Sequence, residues 1–423
     1  MDFTSALCEQ FSLQAWQVDH VIQLLDEGNT IPFIARYRKE AHGALDDQLL
    51  REISERLDYL RGLEKRREEV RALIDTAGAL TEELSSALDR AATLAELEDL
   101  YRPYRPKRKT RASVAREKGL QPLADAIFAQ ECGGEYPIDM AERFVDPEKG
   151  VDTPEDALQG AQDIIAEYLS DDAGIRKRLR VIAMSQGILE TKAANPDEDS
   201  VYAQYYEFQE PVARIAGHRV LAIDRGEREG FLKVSLSLAI DKAMNIVHSV
   251  ALKGNSPCEE AVREAAADAY TRLIFPSIER EVRAALTETA AEQAIKVFSV
   301  NLRHLLMQPP VKGRVAMGLD PGYRTGCKVA VVDATGRVLD TAVVYPTHSQ
   351  AKVEEAKKTV SALIRKHGVR VIAIGNGTAS KETELFTAGV IQELGGGVSY
   401  MVVSEAGASV YSASKLAAEE FPE

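Results

Sequence analysis

Cysteine is scarce and dispersed in this 423-residue chain: Cys8, Cys132, Cys258 and Cys327 form no Cys-x-x-Cys pair. Such spacing offers neither a zinc knuckle nor a dithiol redox motif, and the four read as reduced core or surface thiols. The seven histidines are equally scattered. No apolar run approaches the roughly 20 residues of a membrane-spanning helix. The start, Met1-Asp2-Phe3-Thr4, lacks the basic-then-apolar order of a secretion signal. These absences point to the cytoplasm and away from membranes. Low-complexity tracts and solenoid periods are absent too, as is any excess of positive charge. With a formal net charge of −14, contact with nucleic-acid phosphates has to come from a local patch of Lys and Arg. At 45% apolar and 28% charged residues, the composition is that of ordinary folded domains, and the length predicts two or three of them.

What is present is mostly helical periodicity. Leu13, Trp16, Val21, Leu24 and Leu25 predict a helix stopped at Gly28-Asn29, and a short second helix follows Pro32. Leu49, Ile53, Leu57, Leu60, Val70 and Ile74 predict one long amphipathic helix over 46–77, its other face a solvated array of i,i+4 charge pairs. Thr93-Leu94-Ala95-Glu96 has the form of a capping box, and Thr153-Pro154 and Ser256-Pro257 look like two more helix starts. Ile278, Val282, Leu286, Val297 and Leu305 predict a helix over 277–307. The stripes of both long helices are expected to be buried in helix–helix contacts. Within this body, 219–224 and 231–238 read as a β-hairpin. Pro309-Pro310 marks the clearest boundary.

Beyond Pro310 the pattern changes to strands at 315–319, 327–333 and 337–345, a helix at 350–367, a strand at 369–374, a helix at 381–394 and a strand at 398–403. Three strands on short turns followed by alternating helices and strands is a mixed-sheet α/β order, that of the RNase H-like fold. The predicted division is a helical region 1–200, a central helical region 201–310 with its hairpin 219–238 and long helix 277–307, and an α/β domain 311–423.

Four motifs carry candidate chemistry. Gly318-Leu319-Asp320-Pro321-Gly322-Tyr323-Arg324-Thr325-Gly326 places an acid at a strand end before a glycine-rich turn. Asp320 there can hold a divalent metal, or Gly322, Arg324 and Thr325 can meet a phosphate; equally, this is hairpin-turn chemistry. The same Asp-x-Gly-x-Arg-x-Gly spacing recurs from Asp224 to Gly230, also between expected strands, which weakens the catalytic reading. Gly375-Asn376-Gly377-Thr378-Ala379-Ser380 follows a strand and opens a helix. Asn376, Gly377 and Thr378 could bind an anion, or the stretch is a turn with an N-cap at Ser380. Glu405, just past the last strand, could approach Asp320 and share a metal. Last, six basic residues and no acid lie between 102 and 111. Arg102, Tyr104, Arg105, Lys107, Arg108, Lys109 and Arg111 could fork onto phosphates and stack on bases, or the arginines could pair with acidic helices of the same protein.

Taken together, these segments resemble the Tex family of bacterial transcription accessory proteins. The resemblance rests on Thr30-Ile31-Pro32-Phe33-Ile34-Ala35-Arg36-Tyr37-Arg38-Lys39-Glu40, on Leu97-Glu98-Asp99-Leu100-Tyr101-Arg102-Pro103-Tyr104-Arg105-Pro106-Lys107-Arg108, on the turn 318–326, and on 375–380 and 404–414. It implies that the part after Pro310 is the family's YqgF domain, related to Holliday-junction resolvases, with Asp320 and Glu405 at the first and second metal-binding acids of those nucleases. Their third acid sits on a helix after the last strand. The chain ends at Glu423 before such a helix is complete, so the domain is expected to be truncated, with Glu419 and Glu420 poor replacements. The family's helix-hairpin-helix and S1 RNA-binding modules are not visible either. Its layout is similar to that of a eukaryotic transcription elongation factor, which implies work near nascent RNA and polymerase.

The expected function is therefore a nucleic-acid-binding, most naturally RNA-binding, accessory protein with no catalysis and no cofactor of its own, partnered by RNA or DNA and the transcription machinery. One alternative is a metal-dependent resolvase-type nuclease using Asp320, Glu405 and Mg²⁺. Another is an actin-like ATPase, whose two phosphate loops the 320–326 and 375–378 turns resemble.

Overall fold

The computed structural model describes residues 2–106, 109–131, 134–254, 256–307 and 311–420, apart from the side chains of Arg36, Leu306, Lys415 and Ala418. Lys107 and Arg108 of the basic segment, Cys132 and the Pro309-Pro310 boundary lie outside the described residues. The chain forms two compact units, Met1–Ala290 and Ala291–Glu423. Cys8 and Cys327 are free thiols. No helix among the described residues is long and apolar enough to cross a membrane.

In the first unit the predicted long helix is Asp47–Thr76, started by Asp46, whose carboxylate accepts from the Leu49 amide at 2.8 Å. Its stripe serves two cores in succession. Leu50, Ile53, Leu57 and Leu60 pack with Leu7, Val18, Val21 and Ile34, whereas Leu63, Val70 and Ile74 pack with Leu88, Leu97 and Tyr101. Arg67 interrupts the stripe yet is buried, because its guanidinium donates to the Leu88 and Ala91 carbonyls at 2.9 Å. Those carbonyls lie in the last turn and at the C-cap of the Glu82–Arg90 helix, where intrahelical donors run out.

The largest core surrounds the Pro154–Asp171 helix, where Ala157, Ala161, Ile164, Ile165 and Leu169 are buried. Thr153 and Asp156 cap its start reciprocally at 3.2 Å. Ile278 and Val282 of the Phe275–Leu306 helix join this core, and Leu286 packs partly against it. The two long helices thus contribute to different cores. The second half of the predicted stripe is not buried, since Val297 is 61% exposed.

Two other expectations need correction. The hairpin over 219–238 does not form: Gly217–Arg228 is a helix, and Val220, Ile223 and Gly226 are its buried positions, three apart as a helix requires. β-branched residues in a short window imitated a strand. Only the second half is one, and β3 (Leu232–Ser237) pairs with β1 (Ile188–Ala193), which also pairs with β2 (Glu207–Pro211), all antiparallel. The Asp224 motif is therefore helical rather than a turn between strands, and its carboxylate accepts from Thr287 at 2.6 Å and pairs with Arg283 at 3.2 Å. Ser256 does not cap a helix directly. The helix begins at Glu259 after Cys258, whose amide donates to the Ser256 hydroxyl at 3.2 Å.

The second unit contains the expected α/β order. Its strands are β4 (Ala316–Asp320), β5 (Cys327–Val332), β6 (Val338–Val344), β7 (Val371–Gly375) and β8 (Ser399–Val403), arranged β6-β5-β4-β7-β8. The first three pair antiparallel, and β7 and β8 run parallel to β4. This is the RNase H-like arrangement. Met317, Leu319, Val329, Val331, Ile372 and Ile374 point to one face and are buried with Val360 and Leu363 of the Gln350–His367 helix and Phe386 and Val390 of the Ser380–Glu393 helix. Because side chains alternate, Gly318, Asp320, Lys328, Ala330 and Ala373 share the opposite face.

Candidate functional site

Strand register brings the two candidate acids together. Leu319 lies opposite Ile374 in the parallel pair β4–β7, so Asp320 emerges next to Gly375. Glu405 follows β8 by two residues. Both acids line one cleft of ≈ 700 Å³, with Lys328, Ala330, Val343 and Gly375 among its walls. Asp320 is 58% exposed, and its carboxylate meets the Lys328 ammonium at 3.4 Å. Glu405 is half-buried, and its Oε1 atom makes no hydrogen bond. Both charges are felt at the buried Cys327 sulfur. Its thiol is pushed up to about 12, first by burial and then by the negative charge of Asp320 and of Glu405.

The two glycine turns have structural explanations. A β-carbon on Gly375 would overlap the Glu405 carboxylate, and one on Gly377 would lie 2.6 Å from its Oε2. The Asn376 side-chain oxygen accepts from the Glu405 amide at 3.0 Å, and the Asn376 amide donates to the Val403 carbonyl at 2.9 Å. Gly375-Asn376-Gly377 is thus the seat of Glu405, and Thr378 is exposed beside it. Ser380 is not the N-cap. It is the first helical residue, and Ala379 occupies the cap at φ 64° without a side-chain hydrogen bond. In the other turn, Gly326 has φ +79° and its β-carbon would lie 2.8 Å from the Tyr345 ring, while one on Gly322 would lie 3.0 Å from the Gly326 carbonyl. Arg324 and Thr325 are exposed. Among the described residues no group of three or more His, Cys, Asp or Glu side chains could hold a metal. Glu420 instead accepts from the Tyr411 hydroxyl.

The basic segment divides between its two readings. Arg102 pairs with Asp171 at 3.1 Å, and Arg105 pairs with Glu98 while lying 5.4 Å from the Tyr101 ring centroid. Tyr104 packs against the core of Leu63 and Leu88. Lys109 and Arg111 are exposed and make no ion pair with any other described residue. Thr110 caps the Arg111–Glu117 helix, and its hydroxyl donates to Glu167 at 3.1 Å. Arg116 reaches the same carboxylate at 2.6 Å, and Arg272 reaches Asp163 at 3.3 Å.

The foundation is a ladder of acids at i, i+4 and i+8 on the Pro154–Asp171 helix: Asp163, Glu167 and Asp171. Burial raises the Asp163 carboxyl, opposed by the positive charges of Arg272 and Arg111. That ladder is visible in the sequence but was not recognised there, because nothing local says what faces it. A buried network was missed as well. Asp99 receives Arg176 at 2.6 Å and Arg180 at 2.7 Å, and both arginines also pair with Glu281.

Residues 1–75 match the model of the Tex-like protein N-terminal domain, 134–298 that of the Tex central region, and 314–423 that of the Tex protein YqgF-like domain. The chain is 46% identical to the protein YdcI of Bacillus subtilis over 99% of its own length and 60% of the relative's. It is 40% identical to the transcriptional accessory protein Tex of Neisseria gonorrhoeae over 100% of itself and 56% of that protein. To the human S1 RNA-binding domain-containing protein 1 it is 34% identical over 100% of itself and 44% of the relative. It therefore spans roughly half the length of these relatives. With three family domains matched in order around the sheet and the helical cores that position them, the chain belongs to the Tex family.

Proposed function

We propose that this chain is a nucleic-acid-binding, non-catalytic scaffold of a transcription accessory protein working in the cytoplasm, with RNA the favoured ligand and the transcription machinery its setting. The names of two relatives, one a transcriptional accessory protein and one bearing an S1 RNA-binding domain, support this setting. The observation that carries the binding reading is the pair Lys109 and Arg111. They are exposed in an otherwise acidic chain, on a segment fixed to the acid ladder by Arg102 and Thr110. A fixed cationic edge presents charge to a phosphate backbone without first having to order itself. Fluorescence anisotropy of labelled single-stranded RNA and duplex DNA, with wild type and a Lys109→Glu/Arg111→Glu variant, tests this reading.

The absence of catalysis rests on the sheet-end cleft. Two-metal hydrolysis needs carboxylates enough to bridge two ions held about 3.5–4 Å apart. Among the described residues the cleft offers two, Asp320 and Glu405, and Asp320 already faces the Lys328 ammonium at 3.4 Å. The donor set does not fit a two-metal centre. Their position on one cleft keeps a resolvase-type nuclease as the second reading, tested by incubating the protein with branched DNA and Mg²⁺ or Mn²⁺ beside Asp320→Asn. The ATPase alternative loses its support, because the Glu405 carboxylate lies over the turn where a nucleotide phosphate would have to come.

A further inference from the structure

The segment Thr30-Ile31-Pro32-Phe33-Ile34-Ala35-Arg36-Tyr37-Arg38-Lys39-Glu40 has no part in the cleft or the basic edge. Ile34 anchors it, fully buried among Leu7, Val18 and Val21. His42, also fully buried, holds the corner where the Ile31–Tyr37 helix passes into the Lys39–His42 helix: its Nε2 contacts the Ile34 carbonyl at 3.1 Å and its Nδ1 accepts from the Leu45 amide at 3.1 Å. The outer side of this corner is aromatic and cationic. Phe33 and Tyr37, one helical turn apart, have ring centroids 5.3 Å apart, and the Arg38 guanidinium lies 5.4 Å from the Phe33 centroid. Tyr37 is 63% exposed. Trp16 packs against Gly43 at the far end of the short helix, about 6 Å along its axis.

Residues 28–39 carry three cations and no acid. Arg38 and Lys39 are exposed and have no ion-pair partner among the described residues. The acids just before this stretch are already engaged: Asp26 takes Arg61 at 2.7 Å, and Glu27 accepts from Gln23 at 3.0 Å. Glu40 is the nearest acid after it.

We infer that this corner is a second nucleic-acid contact, in which Tyr37 stacks on an unpaired base of a single strand while Arg38 and Lys39 hold the adjoining phosphates. An exposed ring braced by a second ring, which itself carries a guanidinium, is a stacking platform, and the cations beside it suit phosphates. A hydrophobic protein partner would have to desolvate both cations to reach the same rings, which is unfavourable without matching acids. A duplex offers no free base face, so the ligand class is single-stranded RNA or DNA.

The chain has one tryptophan, and it borders the corner, so emission from Trp16 reports on occupancy. The test is titration of the whole chain with (rU)12 and (dT)12, following Trp16 emission and, in parallel, anisotropy of the labelled oligonucleotide. Wild type, Tyr37→Ala, Arg38→Gln/Lys39→Gln and Lys109→Glu/Arg111→Glu are compared. All substituted positions are exposed, and unchanged thermal midpoints check that the fold is kept. The inference expects saturable quenching, about tenfold weaker binding for Tyr37→Ala, and a salt slope shallower by about 1.4 for the double glutamine variant, from two phosphates on a single strand. Quenching should persist in Lys109→Glu/Arg111→Glu. Binding by anisotropy with silent Trp16 and no effect of Tyr37→Ala would overturn this site, as expected for a surface reserved for a protein, and leave the basic edge standing. Absence of binding by either readout would overturn both.

Discussion

Gly375 and Glu405 exclude any larger arrangement between them: a β-carbon on the glycine would overlap the carboxylate. The acid sits where β7 ends because the turn gives up a side chain to receive it. Gly375→Ala should therefore displace Glu405 and destabilise the second unit by roughly 1–3 kcal/mol, the usual cost of forcing atoms into a filled site. Urea denaturation measures it. Glu405→Ala in the same background should recover most of the loss, and failure to recover would show that the glycine is needed for backbone reasons alone.

The helical cores make a second prediction. Leu57 is 1% exposed, so Leu57→Ala should cost about 2–5 kcal/mol. Val297, at 61% exposed, should tolerate alanine within about 0.5 kcal/mol. Equal losses at both positions would mean that the second half of the Phe275–Leu306 helix is covered in solution.

Asp99 and Arg176 form the most deeply buried ion pair described, with Arg176 1% exposed. Asp99→Ala removes the shared acceptor of Arg176 and Arg180, leaves the buried Arg176 with only its Glu281 and Ser277 contacts, and should cost about 3–5 kcal/mol. Replacing either partner of the exposed pair Arg51–Asp47 should change stability by less than about 0.5 kcal/mol. A small effect at Asp99 would mean that water or Glu281 replaces it.

Acid sensitivity should be found at Asp340. Hydrogen bonds from Lys366 and His367 hold its carboxyl down at about 2. A depressed folded-state value means stability that is present above the ordinary carboxylate range and is lost as pH falls from about 4 through about 2. Asp340→Asn should flatten that part of the pH–stability curve while leaving the curve near neutrality parallel to wild type. An unaltered acid limb would assign it to other carboxylates.

Much of the second unit was legible because each strand is short, apolar on alternate positions and bounded by turns, as in Met317 and Leu319 or Val329 and Val331. The long helix was legible from Ile53 to Ile74 for the same reason at period 3.6, although Leu50 rather than Leu49 is the buried leucine at its start. The helix at 217–228 was not, because Val220 and Ile223 have strand propensity and only tertiary burial selects the helix. The site was legible in its acids but not in its geometry. Gly375 and Glu405 stand thirty residues apart, and nothing local shows that one is the seat of the other. For Arg102 and Arg105 the sequence leaves phosphate binding and internal pairing both open, because their acids, Asp171 and Glu98, lie on other helices.

The central claim is that this chain holds nucleic acid through fixed cations and does not cut it. Its most direct test is the affinity for single-stranded RNA between about 50 and 200 mM salt. If about four phosphates are neutralised, binding should weaken roughly fiftyfold over that range. Lys109→Glu/Arg111→Glu should remove about half of that slope, with the RNA recovered intact. An unchanged slope in the variant, or RNA cleaved in a metal-dependent way that Asp320→Asn abolishes, would contradict the account.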